Sequence, residues 1–418
     1  MSTHQCDTKM LKHLTILLAF LVPVVLLSLT TSIALSAEKE VKIGALHPLT
    51  GFLAHGGNQL KEGHDIAVEE INAAGGIKSL GGAKLVVLHA DSQGKAEVGQ
   101  AEAERLIQGG VVALTGCFQS NVTFNATQIA ERAKVPFLVT VAVADDITSR
   151  GFKYTFRFQP AQTATVKTSL EGLKALREMT GQSLKTAVYM HEDSIFGTGL
   201  AELVKKNASS YGIQILDTIG YSTRGLTDLT TEVARVKGLN PDLLFASGYM
   251  DDGILMIRTA RELALDIKCI YGIMHGALGE PEFAQKVGEL SEGIFSAGLH
   301  WDPVKPEVQK LMSKYQSKYK KPFNYLTAHS YQATYVMADA MERAKSTDPK
   351  AVRDAIAKTN IKDHIMPFLG PISFDERGEC PTAQILLMQI QKGKETPVWP
   401  QKFSTGKPIL PMPGWIKK

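Results

Sequence analysis

The amino-acid sequence predicts an α/β protein in which one strand-and-helix pattern is used twice. Apolar strand-like runs alternate with amphipathic helical ones, the sign of a parallel sheet covered by helices. The alternation pauses near residue 159 and then resumes. The 418 residues also exceed the length of a single typical domain, about 100 to 200 residues. At 44% hydrophobic and 21% charged, the composition excludes a disordered or collagen-like chain.

Each element follows from its residues. Val41–Leu46 predicts a strand, Pro48–Gly51 a turn, and Gln59–Ala73 a helix, in which Leu60, Ile66, Ala67 and Ile71 recur at helical spacing before Gly75-Gly76 stops it. Lys84–Leu88 is the second strand, Ala96–Gln108 the second helix, and Val111–Gly116 a third strand that ends in Gly. A helix from about Asn121 to Ala133 leads to the fourth strand, Val135–Val139. Phe152–Phe158, a strand-like run after a loop and ahead of Gln159-Pro160, reads as a crossing to a second lobe. There the strands are Thr186–Met190, Gln214–Ile219, Leu243–Ala246 and Lys268–Tyr271, and the helices Thr163–Met179, Gly197–Ser210, Leu229–Val236 and Gly253–Leu263. A strand at Gly293–Ala297 precedes helices at Pro306–Tyr319, Ala328–Ala344 and Pro349–Thr359, and Gln384–Gln391 is the one strong strand of the tail.

Residues 1–37 have a composition of their own: Lys9 and Lys12, an apolar run from Leu14 to about Leu29, then the small-residue stretch Ala34-Leu35-Ser36-Ala37. This is the pattern of a cleaved secretory signal peptide. The chain carries 46 basic and 42 acidic residues; without the leader 44 and 41 remain, a net charge of +3. The charges form no Lys/Arg stripe, which argues against a nucleic-acid partner. No later run is long and apolar enough for a membrane anchor. Export permits disulfides, but Cys117, Cys269 and Cys380 are odd in number and widely spaced, so buried free thiols are the default, with one bridge possible.

Ligands of parallel α/β sheets bind where strand C-terminal ends meet helix N-termini. The segment Gly116-Cys117-Phe118-Gln119-Ser120-Asn121 is such a place, with Ser120 or Asn121 as the expected N-cap. Its free N–H groups, the helix dipole and the Ser120 hydroxyl suit a carboxylate, although most Ser at helix starts only cap them. No phosphate-binding loop, dinucleotide fingerprint or nucleophile elbow is present. The eleven His lack metal-ligand spacing, so His275, His300 and His329 read as polar core or cleft residues. No metal or cofactor is expected, and an exported enzyme using Ser120 or His275 is the disfavoured alternative, since no base sits at a recognisable spacing.

The stretch opening VKIGALHPLTG and closing INAAGGI, the segments GCFQSNVTFNATQIAERAKVPFL and GYMDDGILMIRTAREL, and FDERG at Phe374–Gly378 resemble the leucine/isoleucine/valine-binding family of periplasmic binding proteins. These are solute-binding subunits of ATP-driven (ABC) importers. The resemblance implies a type I fold: two Rossmann-like lobes, each a mainly parallel sheet flanked by helices, joined by three crossings. One lobe is expected at 38–159 plus 297–370, the other at 160–296 plus 371–418. It also implies a monomer that closes on a small solute and docks on a permease in the inner membrane. A ligand-sensing module for a receptor would use the same cleft.

Family contacts carry over one position at a time. The carboxylate-binding Ser matches Ser120, directly after Phe118 and Gln119. The next loop is Val141-Ala142-Val143, where Val143 stands at a position that usually offers a hydroxyl. The second-lobe aromatic matches Phe196 and the Tyr of the G-Y motif Tyr249, while Tyr325 is an expected wall. Where the family places an acidic residue for the ligand's ammonium, this chain has His275, with no carboxylate before Glu280. A buried ammonium without a charge partner costs several kcal/mol. The expected ligand is therefore a carboxylate-bearing solute: an aromatic or aliphatic acid, or a branched-chain amino acid or amide if Glu280 serves instead. Gly56, where relatives often carry an aromatic residue, is expected to enlarge the pocket.

Overall fold

β1 (Glu40–His47) begins with Val41 and Ile43 buried and Glu40 and Lys42 exposed, then is buried throughout its second half. That is the pattern of a central strand covered by helices on both faces. The structure, a computed structural model, describes residues 39–415; the expected signal peptide at 1–37 lies outside them. After β1 come α1 (Ala54–Ala73), β2 (Lys84–Asp91), α2 (Ala96–Gln108), β3 (Ala113–Gly116), α3 (Ser120–Ala133), β4 (Phe137–Val139) and β5 (Thr155–Arg157). The strands form a parallel sheet in the order β2-β1-β3-β4-β5. The strand-like crossing run contains the edge strand β5, where Thr155–Arg157 pairs with Phe137–Val139 before the chain leaves.

The second pass contains α4 (Gln162–Thr180), β6 (Thr186–Glu192), α5 (Ile195–Asn207), β7 (Gln214–Tyr221), α6 (Thr230–Leu239), β8 (Leu243–Ser247), α7 (Met250–Glu262), β9 (Cys269–Ile273), α8 (Pro281–Val287) and β10 (Phe295–Gly298). The chain then returns to the first lobe with α9 (Pro306–Tyr319), α10 (Tyr325–Ala344), α11 (Pro349–Ala357) and the short pair β11 (Asn360–Ile361) and β12 (Ile372–Ser373). A last hairpin, β13 (Leu386–Gln391) and β14 (Lys394–Trp399), completes the second sheet in the order β14-β13-β10-β9-β8-β6-β7. β14 is not evident from sequence: its turn, Lys392-Gly393, has positive φ at both residues (54° and 71°) without the Asn-Gly signature of such turns.

The chain therefore passes between the sheets three times. Ala297 and Gly298 still pair with the second sheet. The Arg157 N–H donates to the Gly378 carbonyl and the Cys380 N–H to the Arg157 carbonyl. The later crossings consequently fall after Gly298 and after Cys380, not at 297 and 370. In the first lobe α1 packs closely on α10: a Cβ at Gly63 would lie 2.4 Å from the Thr327 carbonyl oxygen. In the second, Val188, Phe245, Ile270 and Phe295 are fully buried, each side chain contributing about 1.5–3 kcal/mol. Cys117, Cys269 and Cys380 are free, buried thiols. Among the described residues no helix is long and apolar enough to cross a membrane.

Candidate ligand-binding cleft

Ser120 is the first residue of α3, directly after the loop that leaves β3. The N-cap is Gln119, in extended conformation (φ −87°, ψ 142°) and without a side-chain cap bond. Neighbouring side chains along extended backbone point to opposite sides. Accordingly Phe118 and Ser120 face the space between the lobes, while the Gln119 amide turns away and donates to the Gly94 carbonyl at 3.2 Å. Ser120 is 2% exposed. Its Oγ accepts the Ala144 N–H at 3.3 Å, which ties the helix start to the loop after β4.

That loop supplies Val141, Ala142 and Val143 to the same cavity. Its carbonyls are engaged from behind: Gln162 N–H donates to Val143, Gln159 Nε2 to Ala142, and Arg157 Nη1 to Ala144. Arg157 is fully buried and paired with Glu379. The loop is thus held by the crossing strand and cannot relax independently of it.

The second lobe contributes Phe196, Gly248, Tyr249, Met274 and Gly276. Phe196 lies in the first turn of α5, where Ser194 Oγ accepts the Phe196 N–H and buried Glu192 accepts the Gly197 N–H at 2.7 Å. Tyr249 is the N-cap of α7; its N–H donates to Asp252 Oδ1 at 2.8 Å. Burial pushes the Asp252 carboxyl up to about 7. The Tyr249 ring meets Phe118 edge-on across the cleft, with centroids 5.6 Å apart, and lies 5.8 Å from Phe196. Tyr325, at the start of α10, completes the wall. Together these groups line one cavity between the lobes, with about 30 Å³ of free space. Gly248, Met274 and Gly276 went unnamed in the sequence reading; their signal is position, immediately past the C-terminal ends of β8 and β9.

No charged side chain lines this cavity among the described residues. Its polar groups are the Ser120 hydroxyl, backbone, and two phenols that burial holds well above their usual pKa and therefore neutral. His275 is absent from the lining. Met274 has φ +53°, and the chain turns there so that the ring packs on α7, where a Cβ at Gly253 would meet Cε1 at 2.6 Å. Burial pushes His275 down to about 3, so the ring is neutral. Glu280 lies in an adjoining chamber, for which Met274 and Tyr325 form the shared wall. Gly56 does not enlarge the cavity: a Cβ there would sit 2.8 Å from Phe118 Cε1, because the ring already fills that space.

Two α/β lobes joined by three crossings, with a cavity between them, are the architecture of two-lobed solute-binding proteins. Residues 40–395 match the family model described as periplasmic binding protein, and the chain belongs to that family. It is 28% identical over 390 residues to Leu/Ile/Val-binding protein homolog 8 of Brucella abortus (strain 2308), covering 91% of this chain and 95% of the relative. Among solved structures it is similar to a leucine-binding protein LivK from Thermotoga maritima, with a TM-score of 0.74 and 25% identity over 85% of this chain and 97% of that one. A solute-binding protein of an ABC transporter from R. palustris, in complex with benzoate, shares the fold: its TM-score is 0.74, with 20% identity over 86% of this chain and 95% of that one.

Proposed function

We propose that this protein captures a small carboxylate without an α-ammonium, an aromatic or aliphatic acid, and delivers it to the permease of an ABC importer after export to the periplasm. The observation that carries the reading is the cavity lining: a Ser hydroxyl at a helix N-terminus with apolar and aromatic walls and no carboxylate. The helix start stabilises an anion. An α-ammonium entering the same cavity would lose its hydration without gaining a counter-charge, at several kcal/mol. The benzoate in the R. palustris neighbour supports an organic acid, and the names of the Brucella and Thermotoga relatives support amino acids as the class to test against it. Closure would follow the hinge motion of two-lobed binding proteins.

Purified protein titrated by calorimetry and thermal shift against benzoate, short aliphatic acids, and Leu, Ile and Val provides the test. Stabilisation by monocarboxylates is the expected result. Stabilisation by the amino acids alone overturns the reading.

A further inference from the structure

Behind Met274 and Tyr325 a second, small chamber of about 20 Å³ adjoins the cleft, with room for a water-sized group, and its polar groups are unusual for a protein interior. Glu280, from the loop before α8, and Glu395, from β14, both line it, joined by His300 from the second crossing. Glu280 and His300 are each only 4% exposed. His300 Nδ1 bonds the Trp301 carbonyl at 2.9 Å, so in the neutral ring Nε2 carries the lone pair. That Nε2 has no hydrogen-bond partner among the described residues; the nearest carboxylate oxygen, Glu395 Oε2, is 3.8 Å away, beyond hydrogen-bond reach. Buried polar atoms are almost always satisfied, and those left open are the exceptions that call for an external partner.

We infer that this chamber receives a hydrogen-bond-donating group, a hydroxyl or an ammonium, carried by the ligand at the end remote from its carboxylate. The inference rests on the proposed role of the cleft as the carboxylate site. What the chamber offers is mainly acceptors: two carboxyl groups and the His300 lone pair. Tyr325, whose phenol feels both Glu280 and Glu395, stands between the two compartments. Burial first, then Glu395 and Glu282, push the Glu280 carboxyl well above its ordinary range; burial raises the Glu395 carboxyl too, opposed by His300. Both shifts favour a proton held on this pair. A ligand hydroxyl bonds there without changing that proton, whereas an ammonium displaces it to solvent.

Calorimetry with benzoate, para-hydroxybenzoate and para-aminomethylbenzoate tests the inference on the wild type and on Glu395→Gln and Glu280→Gln, two variants that guard against a folding defect in either. At least one donor-bearing probe should bind about tenfold or more tighter than benzoate, since a bond to a charged acceptor contributes that much. Both substitutions should reduce that preference while affecting benzoate far less. Proton release, read from the dependence of the binding enthalpy on buffer, marks the ammonium; its absence marks the hydroxyl. Equal binding of all three probes by the wild type, or variants that weaken benzoate as much as its derivatives, overturns the chamber's role and leaves the carboxylate site standing. If none of the three probes binds, the chamber's role and the carboxylate reading fail together.

Discussion

His55 on α1 and Glu282 on α8 meet across the mouth of the cleft, Nε2 to Oε2 at 2.8 Å, one side chain from each lobe. The contact exists only while the lobes are together, so it favours closure. Both side chains remain partly exposed, at 34% and 22%, which limits the contribution to about 1 kcal/mol or less. Glu282→Gln should therefore weaken ligand affinity by roughly two- to fivefold, and small-angle scattering should find the ligand-free variant more open. The His55 contact, ahead of any other cause, holds the Glu282 carboxyl below its ordinary value of 4.5. The sign follows: closure gains the full contribution above that value and loses it as pH falls through the depressed one. An affinity that rises as pH falls below 4.5 would contradict this.

Ser120→Ala removes the hydroxyl proposed to meet the carboxylate and also the acceptor of the Ala144 N–H. Affinity for a carboxylate should fall by about 1–3 kcal/mol. An uncharged amide of the same acid should be much less affected, and comparing the two by calorimetry separates recognition of the anion from a general loosening of the loop.

The doubled α/β pattern was legible in the sequence because its helices carry apolar residues at helical spacing and most of its strands are short apolar runs. β5 was legible only as part of a strand-like crossing run, and β14 was not, because it follows a turn without a typical signature and contains Pro397. Ser120, Phe118, Val143, Phe196, Tyr249 and Tyr325 do converge on one cavity. Gln119 and His275 do not, because backbone torsions at Gln119 and at Met274 decide which way a side chain faces, and a residue list does not contain them. The Glu280, Glu395 and His300 chamber joins residues far apart in sequence, so only the fold brings it together.

Gly56 presents a second way to alter the cleft without touching its lining. A Cβ there would fall 2.8 Å from Phe118 Cε1 and 3.2 Å from Leu326 Cδ1, so Gly56→Ala must move the Phe118 ring, whose other neighbour is Tyr249. Overpacking of this kind costs about 1–3 kcal/mol. Part of that cost should appear as lost affinity, because the ring borders the cavity and meets Tyr249 of the second lobe. Unchanged binding in a variant that melts earlier would assign the whole cost to stability.

Arg157 and Glu379 couple stability to the site. The guanidinium is fully buried and pairs with Glu379 while donating to the Ala144 carbonyl at 2.8 Å; Thr148 Oγ1 also bonds Glu379. Glu379→Ala leaves a buried cation without its counter-charge, a loss of about 3–5 kcal/mol. Urea denaturation should show the midpoint falling by that equivalent. Because the same Arg157 holds the loop of Val141–Ala144, the variant should also bind ligand more weakly at temperatures where it remains folded. Arg157→Met together with Glu379→Leu removes both charges and should recover most of the stability, since an apolar pair of similar volume often replaces a buried ion pair without loss. The double variant should not recover affinity, as the Ala144 carbonyl then keeps only the Ile147 N–H and loses its tie to the crossing strand; recovery of both would reduce the pair to a packing element of the crossing.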